Sequence, residues 1–449
     1  MGNRRKPMQQ KTLVPIVRSV TGNFPSLTYS VAVVGLGYVG LPLALLAARK
    51  GHRVVGLDIN AEKVKSINSG ICPFFDVELT ERLANTRLPA DTNFARARDV
   101  EIIVLCVPTP VRHDHIPDLV PIMEASKSVA SHLKKGTLVI VESTVNPGVC
   151  ENVVLPILER GSGLRAGADF MLSHCPERVN PGDPEWNVEN ISRVAGSLTE
   201  EGLEKTLAFY GSIVTGPIRP MRSIKEAEAV KIVENTFRDI NIAFVNELAL
   251  SFDRLGIDVV NVIEAAATKP FAFMAHYPGC GVGGHCIPVD PYYLIAEGKR
   301  NGFNHRFLSL ARKINNHMPK HTVDLLERML RKEHIPLKGA RVALLGLAYK
   351  ADIDDVRESP SLVMLEELEK RGAEVMPFDP YVKNARIPTL RKALTGAHAA
   401  IVATPHRSFR ALSPHDFLEC GVSIVIDGKN CLSKEAFVGA GVQYRGIGR

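Results

Sequence analysis

Val31-Ala-Val-Val-Gly-Leu-Gly-Tyr-Val-Gly40 decides the fold of this 449-residue chain. Four apolar residues read as a buried strand. They run into Gly35-x-Gly37-x-x-Gly40, a helical run from Leu41 to Lys50, Gly51, a second strand Arg53–Leu57, and Asp58. Strand, glycine turn, helix, strand and acid in that order form the dinucleotide-binding pattern. Gly35 makes the turn. Gly37 lets a pyrophosphate approach backbone N–H groups at the helix N-terminus. Gly40 lets helix and strand pack closely. Asp58, at the end of the second strand, would accept hydrogen bonds from both adenosine ribose hydroxyls and repel a 2′-phosphate, so NAD is expected over NADP.

Further strands are expected at Glu101–Val107, Thr137–Glu142 and Phe170–Ser173. The ends of parallel strands are where ligands sit. Pro108, Thr109 and Thr144 are therefore candidate contacts, although threonines after strands also serve as helix caps. Tyr38 and Val39 in the turn, and Lys63 beyond Asp58, are counted with the cofactor contacts. From Ile224 to Ala267 the chain reads as helical, with Lys231, Asn235 and Arg238 on one face; a solvated face is the ordinary alternative. A second α/β unit is expected from strands Ala340–Gly346, Ala373–Phe378, His398–Val402 and Val422–Ile426, with Ser359 leading a helix to Arg371. It lacks the G-x-G-x-x-G turn. The fold class is therefore α/β, with two Rossmann-like, doubly wound parallel-sheet domains joined by a central helical segment containing a long helix. The expected division is an N-terminal extension 1–30, a first domain 31–223, a central segment 224–330 and a second nucleotide-type domain 331–449.

Between the helical segment and the second unit lies Tyr277-Pro-Gly-Cys-Gly-Val-Gly-Gly-His-Cys-Ile-Pro-Val-Asp-Pro-Tyr-Tyr293. Its glycines at 279, 281, 283 and 284 suit a loop that comes very close to something, not a helix or packed strand. Cys286 follows directly, with Asp290 four residues on. A thiol on a tight turn beside a carboxylate suits a nucleophile; a buried inert cysteine is the ordinary alternative.

Composition narrows the function classes. Hydrophobic residues are 45% and charged residues 23%, a globular balance, and the length calls for two or three domains. The net charge of +7 is too diffuse for a nucleic-acid stripe and compatible with small anionic substrates. Eight scattered cysteines without a Cys-x-x-Cys pair indicate neither a disulfide framework nor a zinc ribbon, and favour a reducing, cytoplasmic setting. His174-Cys175 and His285-Cys286 lack metal-ligand spacing, so no metal is expected. No apolar run is long enough for a membrane span, and no signal-peptide core is visible.

Together these features resemble the UDP-glucose/GDP-mannose dehydrogenase family over roughly residues 31–445. The resemblance implies an NAD-dependent, four-electron oxidation of a UDP-sugar's C6 hydroxyl to a carboxylate, feeding surface polysaccharide biosynthesis, by a homodimer formed through the central helix. By the same resemblance Cys286 is the nucleophile, Asp290 its partner acid, and Lys231 and Asn235 the oxyanion-stabilising pair. Thr144 and Glu177 hold a catalytic water. Arg357 contacts the cofactor. Arg178, Val179, Arg238, Gly283, Tyr349 and Lys350 join Lys231 and Asn235 as substrate contacts.

Pro181, where the glucose-specific branch shows a second glutamate, resembles the enzymes for N-acetylated sugars, as does His285 before the nucleophile. Ala267-Thr-Lys-Pro-Phe271 resembles the UDP-N-acetylglucosamine group. Cys280 stands where a proline is common. Rival readings are a UDP-glucose 6-dehydrogenase, a 3-hydroxyacid or phosphogluconate-type dehydrogenase, which needs neither cysteine nor second domain, and an NAD-sensing regulator, which would have no use for Cys286, Lys231 and Asn235.

Overall fold

The computed structural model describes residues 27–74, 76–112, 114–179, 185–383 and 385–449. The expected extension lies outside these residues as far as Ser26, and Pro181 lies outside them as well. Tyr29 and Ser30 already belong to the fold: both are buried, and Ser30 opens the first strand. The chain divides into two compact units. One covers the residues up to Pro73, Glu78–Thr109 and Val120–Lys231; the other covers Phe74–Val77, Pro110–Leu119 and Ile232–Arg449.

The first unit is built on β1 (Ser30–Val34), β2 (Arg53–Leu57), β3 (Ala90–Asp91), β4 (Ile102–Leu105), β5 (Leu138–Val141), β6 (Met171–His174), β7 (Arg193–Ser197) and β8 (Ile218–Pro220). Their order is β3-β2-β1-β4-β5-β6-β7-β8, parallel except for the antiparallel β6–β7 pair. β1 is buried along its whole length between β2 and β4, with Val31 opposite Val54 on one side and Ile102 on the other. That is why its sequence is continuously apolar rather than alternating. Each such fully buried Val or Ile side chain contributes about 1.5–3 kcal/mol. Chain order reverses between β1 and β4, so the crevice outside their carboxyl ends is the expected ligand edge.

The second unit repeats the plan with β9 (Arg341–Leu345), β10 (Glu374–Phe378), β11 (Ala399–Val402), β12 (Ile424–Asp427) and β13 (Gln443–Gly446). These form an all-parallel sheet in the order β10-β9-β11-β12-β13. Its reversal lies between β9 and β11. Two long helices, Ile224–Leu255 and Arg306–Lys332, supply the helical segment. The division between units falls inside the first of them, after Lys231.

The expected strands are present within one or two residues, and the α/β class with two Rossmann-like sheets holds. The helical stretch read as continuous from Ile224 to Ala267 is two helices. Gly256, at φ +69°, closes the first, and Asp258 caps the second, Val259–Ala267, by accepting from Val260 N and Asn261 N.

Candidate active site

The glycine turn after β1 has the geometry its sequence calls for. Gly35 has φ +90°, and a Cβ there would lie 2.7 Å from the Cys106 carbonyl oxygen. A Cβ on Gly40 would lie 1.9 Å from the Gly35 carbonyl oxygen. Gly37 is the opposite case, with no atom within 4 Å of the Cβ position. Beyond it the helix Gly40–Arg49 begins at Val39 with no side chain capping its first N–H groups, and Tyr38 and Val39 are half-buried beside them. An uncapped helix N-terminus behind an open glycine is a ready anion site. Asp58, buried at the end of β2, accepts from Leu36 N at 2.9 Å, Asn60 N at 2.9 Å and Lys63 Nζ at 2.7 Å. A carboxylate beside an open, donor-lined glycine cradle fits a dinucleotide's ribose and pyrophosphate. At the next strand ends the Thr109 hydroxyl donates to the Thr144 carbonyl at 2.6 Å, joining the ends of β4 and β5. Neither threonine caps a helix, and Pro108 stands exposed beside them.

Glu177, three residues past β6, is buried and heavily bonded. Its Oε1 accepts from Arg178 N at 2.6 Å and Val179 N at 2.8 Å, and its Oε2 from Arg193 Nη2 at 2.6 Å. Burial opposes its charge, but Arg193 and the two backbone donors prevail and hold its pKa below the usual range. The Arg178 guanidinium donates to Ser192 O and Oγ.

The long helix Ile224–Leu255 is pinned near its start by Glu228, whose carboxylate accepts from Gly148 N and Cys150 N at the next helical turn of the first unit. Lys231, one turn on, is buried, and Asn235, one further turn on, is buried too. Arg238 lies on the same face of the helix but is exposed, and Asp239 takes the buried position next to it. At about 100° per residue, 231, 235 and 239 advance into the core while 238 falls on its rim. Asp239 pairs with Arg312 Nη1 at 2.6 Å and accepts from Asn315 Nδ2 at 2.8 Å. Val233, Phe237 and Phe244 line the same helix's exposed side.

In the second unit the glycine loop is sewn to its neighbours. Gly283 and Gly284 lie against Tyr349, where any Cβ would come within 2.7 Å of the tyrosine. A Cβ on Gly283 would also meet Pro360 at 2.7 Å. Gly284 N donates to Arg357 O, Cys280 N to Gly428 O, and Lys429 Nζ to Gly281 O. The loop is shorter than its sequence suggests, because a helix starts at Asp290; Pro291 near its N-terminus needs no N–H partner there. Cys286 is half-buried one turn ahead of this helix, and its carbonyl accepts from Val289 N and Asp290 N. The buried Asp290 carboxylate accepts from Asn235 Nδ2 at 2.5 Å. Cys286, Asp290 and Asn235 are therefore brought together. Arg357 bonds Asp355 and reaches His285 Nδ1 at 3.1 Å, next to the thiol. Lys350 is half-buried in the turn after β9, beside Tyr349. Cys280 is fully buried, and burial raises its thiol pKa.

Sequence reasoning missed the buried Glu142, Arg193 and Tyr210, which meet behind Glu177. An arginine opening a short strand carries no periodic signal.

Residues 29–214, 225–317 and 343–434 match, respectively, the NAD binding domain, the central domain and the UDP binding domain of the UDP-glucose/GDP-mannose dehydrogenase family. The chain is 39% identical over 427 residues to the UDP-N-acetyl-D-mannosamine dehydrogenase of Pyrococcus horikoshii, covering 93% of this chain and 99% of that protein. It is 42% identical over 352 residues to the UDP-N-acetyl-D-glucosamine 6-dehydrogenase of Pseudomonas aeruginosa, covering 78% and 83%. The solved structure of the UDP-D-ManNAc dehydrogenase from Pyrococcus horikoshii superposes with a TM-score of 0.88 at 38% identity, covering 94% of this chain and 99% of that one.

Proposed function

The chain belongs to the UDP-glucose/GDP-mannose dehydrogenase family and is an NAD-dependent oxidoreductase, and from that premise we propose that it oxidises the C6 hydroxyl of a UDP-N-acetylhexosamine to the uronic acid. The observation that carries the reading is the grouping of Cys286, on a loop stitched to Tyr349 and Arg357, with Asp290 at the start of the next helix and Asn235 of the long helix. The names of the relatives support an N-acetylated sugar, and Ala267-Thr-Lys-Pro-Phe271 favours the gluco form.

NAD, when bound, accepts hydride from the sugar carbon in each of two oxidations. The chain's own residues do the rest. Asp58 and the Gly35–Gly40 turn hold the dinucleotide, joined by Lys63, Thr109, Thr144 and Arg357. Asp290 orders a water that takes the alcohol proton. The Cys286 thiolate adds to the aldehyde carbon, giving a thiohemiacetal and then, after the second oxidation, a thioester. Lys231 and Asn235 stabilise the negative oxygen at each stage. Thr144 and Glu177 hold the water that hydrolyses the thioester. Arg178, Val179, Arg238, Gly283, Tyr349 and Lys350 bind the substrate. The domains run 31–223 for the cofactor, 224–330 for the helical and cysteine segment, and 331–449 for the UDP portion.

The enzyme works as a homodimer in the cytoplasm. Support for the dimer comes from Val233, Phe237 and Phe244, which are 55%, 47% and 53% exposed at helical spacing on one side of the long helix. Support for a reducing compartment comes from the cysteines: the described residues include all eight, and none is in a disulfide. Among the described residues no helix is long and apolar enough to cross a membrane.

The test is NADH formation on a panel of UDP-hexoses with wild type, Cys286→Ala and Cys280→Ala. Wild type and Cys280→Ala should give two NADH per N-acetylhexosamine and release an acid. Cys286→Ala should lose acid formation by about three orders of magnitude while still binding both ligands. Full turnover by Cys286→Ala, or oxidation of UDP-glucose alone, would refute the reading.

A further inference from the structure

Behind Glu177 lies a charge cluster that the oxidation chemistry does not use. Arg193, the first residue of β7, is 0% exposed. Its Nη1 donates to Glu142 Oε1 at 2.8 Å and its Nη2 to Glu177 Oε2 at 2.6 Å. The Tyr210 hydroxyl, on the helix Glu200–Ile213, donates to Glu142 Oε2 at 2.6 Å, and the guanidinium carbon stands 4.9 Å from the Tyr210 ring centroid. Removing three charges from water is expensive, and well-packed apolar residues often stabilise a fold as well or better. The cluster therefore asks for a reason beyond packing.

Its attachment points suggest that reason. Glu142 is the residue immediately after β5 and lies two residues before Thr144. Arg193 thus ties the strand end that carries Thr144 to the segment that carries Glu177. We propose that Arg193 is a positioning residue for thioester hydrolysis: bridging Glu142 and Glu177, it fixes the two water-holding residues relative to each other and keeps Glu177 an ionised acceptor. The proposal rests on the covalent reading of Cys286 given above.

The electrostatics of every element around the cluster agree. Burial works against charge on both carboxyl groups. At Glu142 burial prevails over Arg193, and its pKa is raised to about 7. At Glu177 Arg193 prevails over burial, with Lys231 of the long helix adding to the positive field, and the pKa is lowered. Cys175 after β6 and Cys106 after β4 are raised by burial and stay neutral thiols. Tyr210 is raised by burial and by Glu142, and remains a neutral donor.

In the hydrolytic step the water oxygen bonds to the thioester carbon and the carbon–sulfur bond breaks. The electron pair leaves on Cys286 sulfur as thiolate. The water's two protons pass to neighbouring bases and solvent, leaving a carboxylate. An ionised Glu177 accepts one O–H of the incoming water and so sets the direction of its lone pair.

Rapid quench and intact-mass measurement of the acyl adduct on Cys286 separate formation from hydrolysis. Arg193→Met should form the adduct at near wild-type rate yet hydrolyse it about 30–100-fold more slowly, and Arg193→Lys should recover part of that loss. The acid limb of the hydrolysis–pH profile should move up in Arg193→Met, which removes the neighbouring cation. Glu142→Gln, which keeps the shape, should leave that limb in place, because Glu142 is already neutral where Glu177 titrates, and should slow hydrolysis above neutral pH, where the native carboxylate anchors Arg193. Should Arg193→Met not fold, Glu142→Gln and Tyr210→Phe carry the test, and Tyr210→Phe should slow hydrolysis without slowing adduct formation. Wild-type hydrolysis in a folded Arg193→Met, or wild-type hydrolysis above neutral pH in Glu142→Gln, overturns the proposal alone. Acid formation by Cys286→Ala with no adduct in wild type overturns the covalent reading and this proposal with it.

Discussion

The two sheets use the same opening move and finish it differently. The chain leaves β1 through Gly35 at φ +90°, and leaves β9 through Gly346 at φ +95°. In each unit the neighbouring strand, β2 or β10, ends in a buried aspartate that reaches back to the turn. Asp58 accepts from Leu36 N, and Asp379 accepts from Leu347 N and Ala348 N. The third position of the turn is Gly37 in the first unit, facing empty space, and Ala348 in the second, buried. The side-chain partner of each acid differs most. Asp58 is paired with Lys63, whose side chain is 27% exposed. Asp379 is paired with His406 Nε2 at 3.0 Å, and His406 is fully buried. His406 Nδ1 accepts from Asp352 N, which places its proton on Nε2, toward the acid. Burial opposes charge on Asp379, but His406 and backbone donors lower its pKa to about 2. On the proposed reading, one topology thus holds a ligand-reading acid in the first unit and a structural acid in the second. The site, not the fold, decides the use.

Four substitutions break or sharpen that contrast. Gly40→Ala should be the most damaging to the first unit, since its Cβ would collide with the Gly35 carbonyl. Calorimetric titration with NAD should show about 100-fold weaker binding, or about 3 kcal/mol, with UDP binding kept. Asp379→Asn should cost the second unit about 2 kcal/mol of stability without altering cofactor choice. Its sign with pH is fixed by the lowered pKa. The carboxylate's contribution is complete above its ordinary unfolded value and disappears as pH falls through about 2. Denaturant unfolding at neutral and strongly acidic pH should therefore show the variant's deficit shrinking in acid. Asp58→Ala should weaken NAD about tenfold and narrow the NAD/NADP preference, read from kcat/KM for both cofactors; a wild type that prefers NADP would contradict the assignment. Gly37→Ala should have the smallest effect, a melting temperature within about 2 °C of wild type and NAD binding weakened about fivefold, because the added methyl meets only the space the ligand needs.

Which parts of this could be read from residues alone follows from how locally each is determined. β1, β2 and the turn between them are specified by adjacent residues, so their place and purpose were visible at once. The strands at 102, 138, 341 and 399 are short apolar runs bounded by polar residues, and were equally visible. β7 and β8 were not: one opens with a buried arginine, the other contains Arg219 and ends at Pro220, and each depends on pairing with distant chain. The same limit applies to chemistry. Cys286 and Asp290 are four residues apart and announce themselves. Glu142, Arg193 and Tyr210 lie 51 and 68 residues apart along their hydrogen bonds, and only folding brings them together. Arg238 shows the limit of a helical wheel, which identifies a stripe but not which edge of it the core covers.

The glycine loop before Cys286 has a bearing on how such enzymes could be recombined. Gly283 and Gly284 are tailored to the ring of Tyr349, and Gly279 and Gly281 to Lys429 and Pro360. The Cys286 loop and the second sheet's turns are therefore one inherited block, although more than sixty residues of helix, linker and strand separate Gly284 from Tyr349 in sequence. A chimera joined within that intervening stretch would inherit a loop cut for one tyrosine and a tyrosine cut for another loop. Junctions placed ahead of Tyr277 would pass the cysteine and its nucleotide domain on intact.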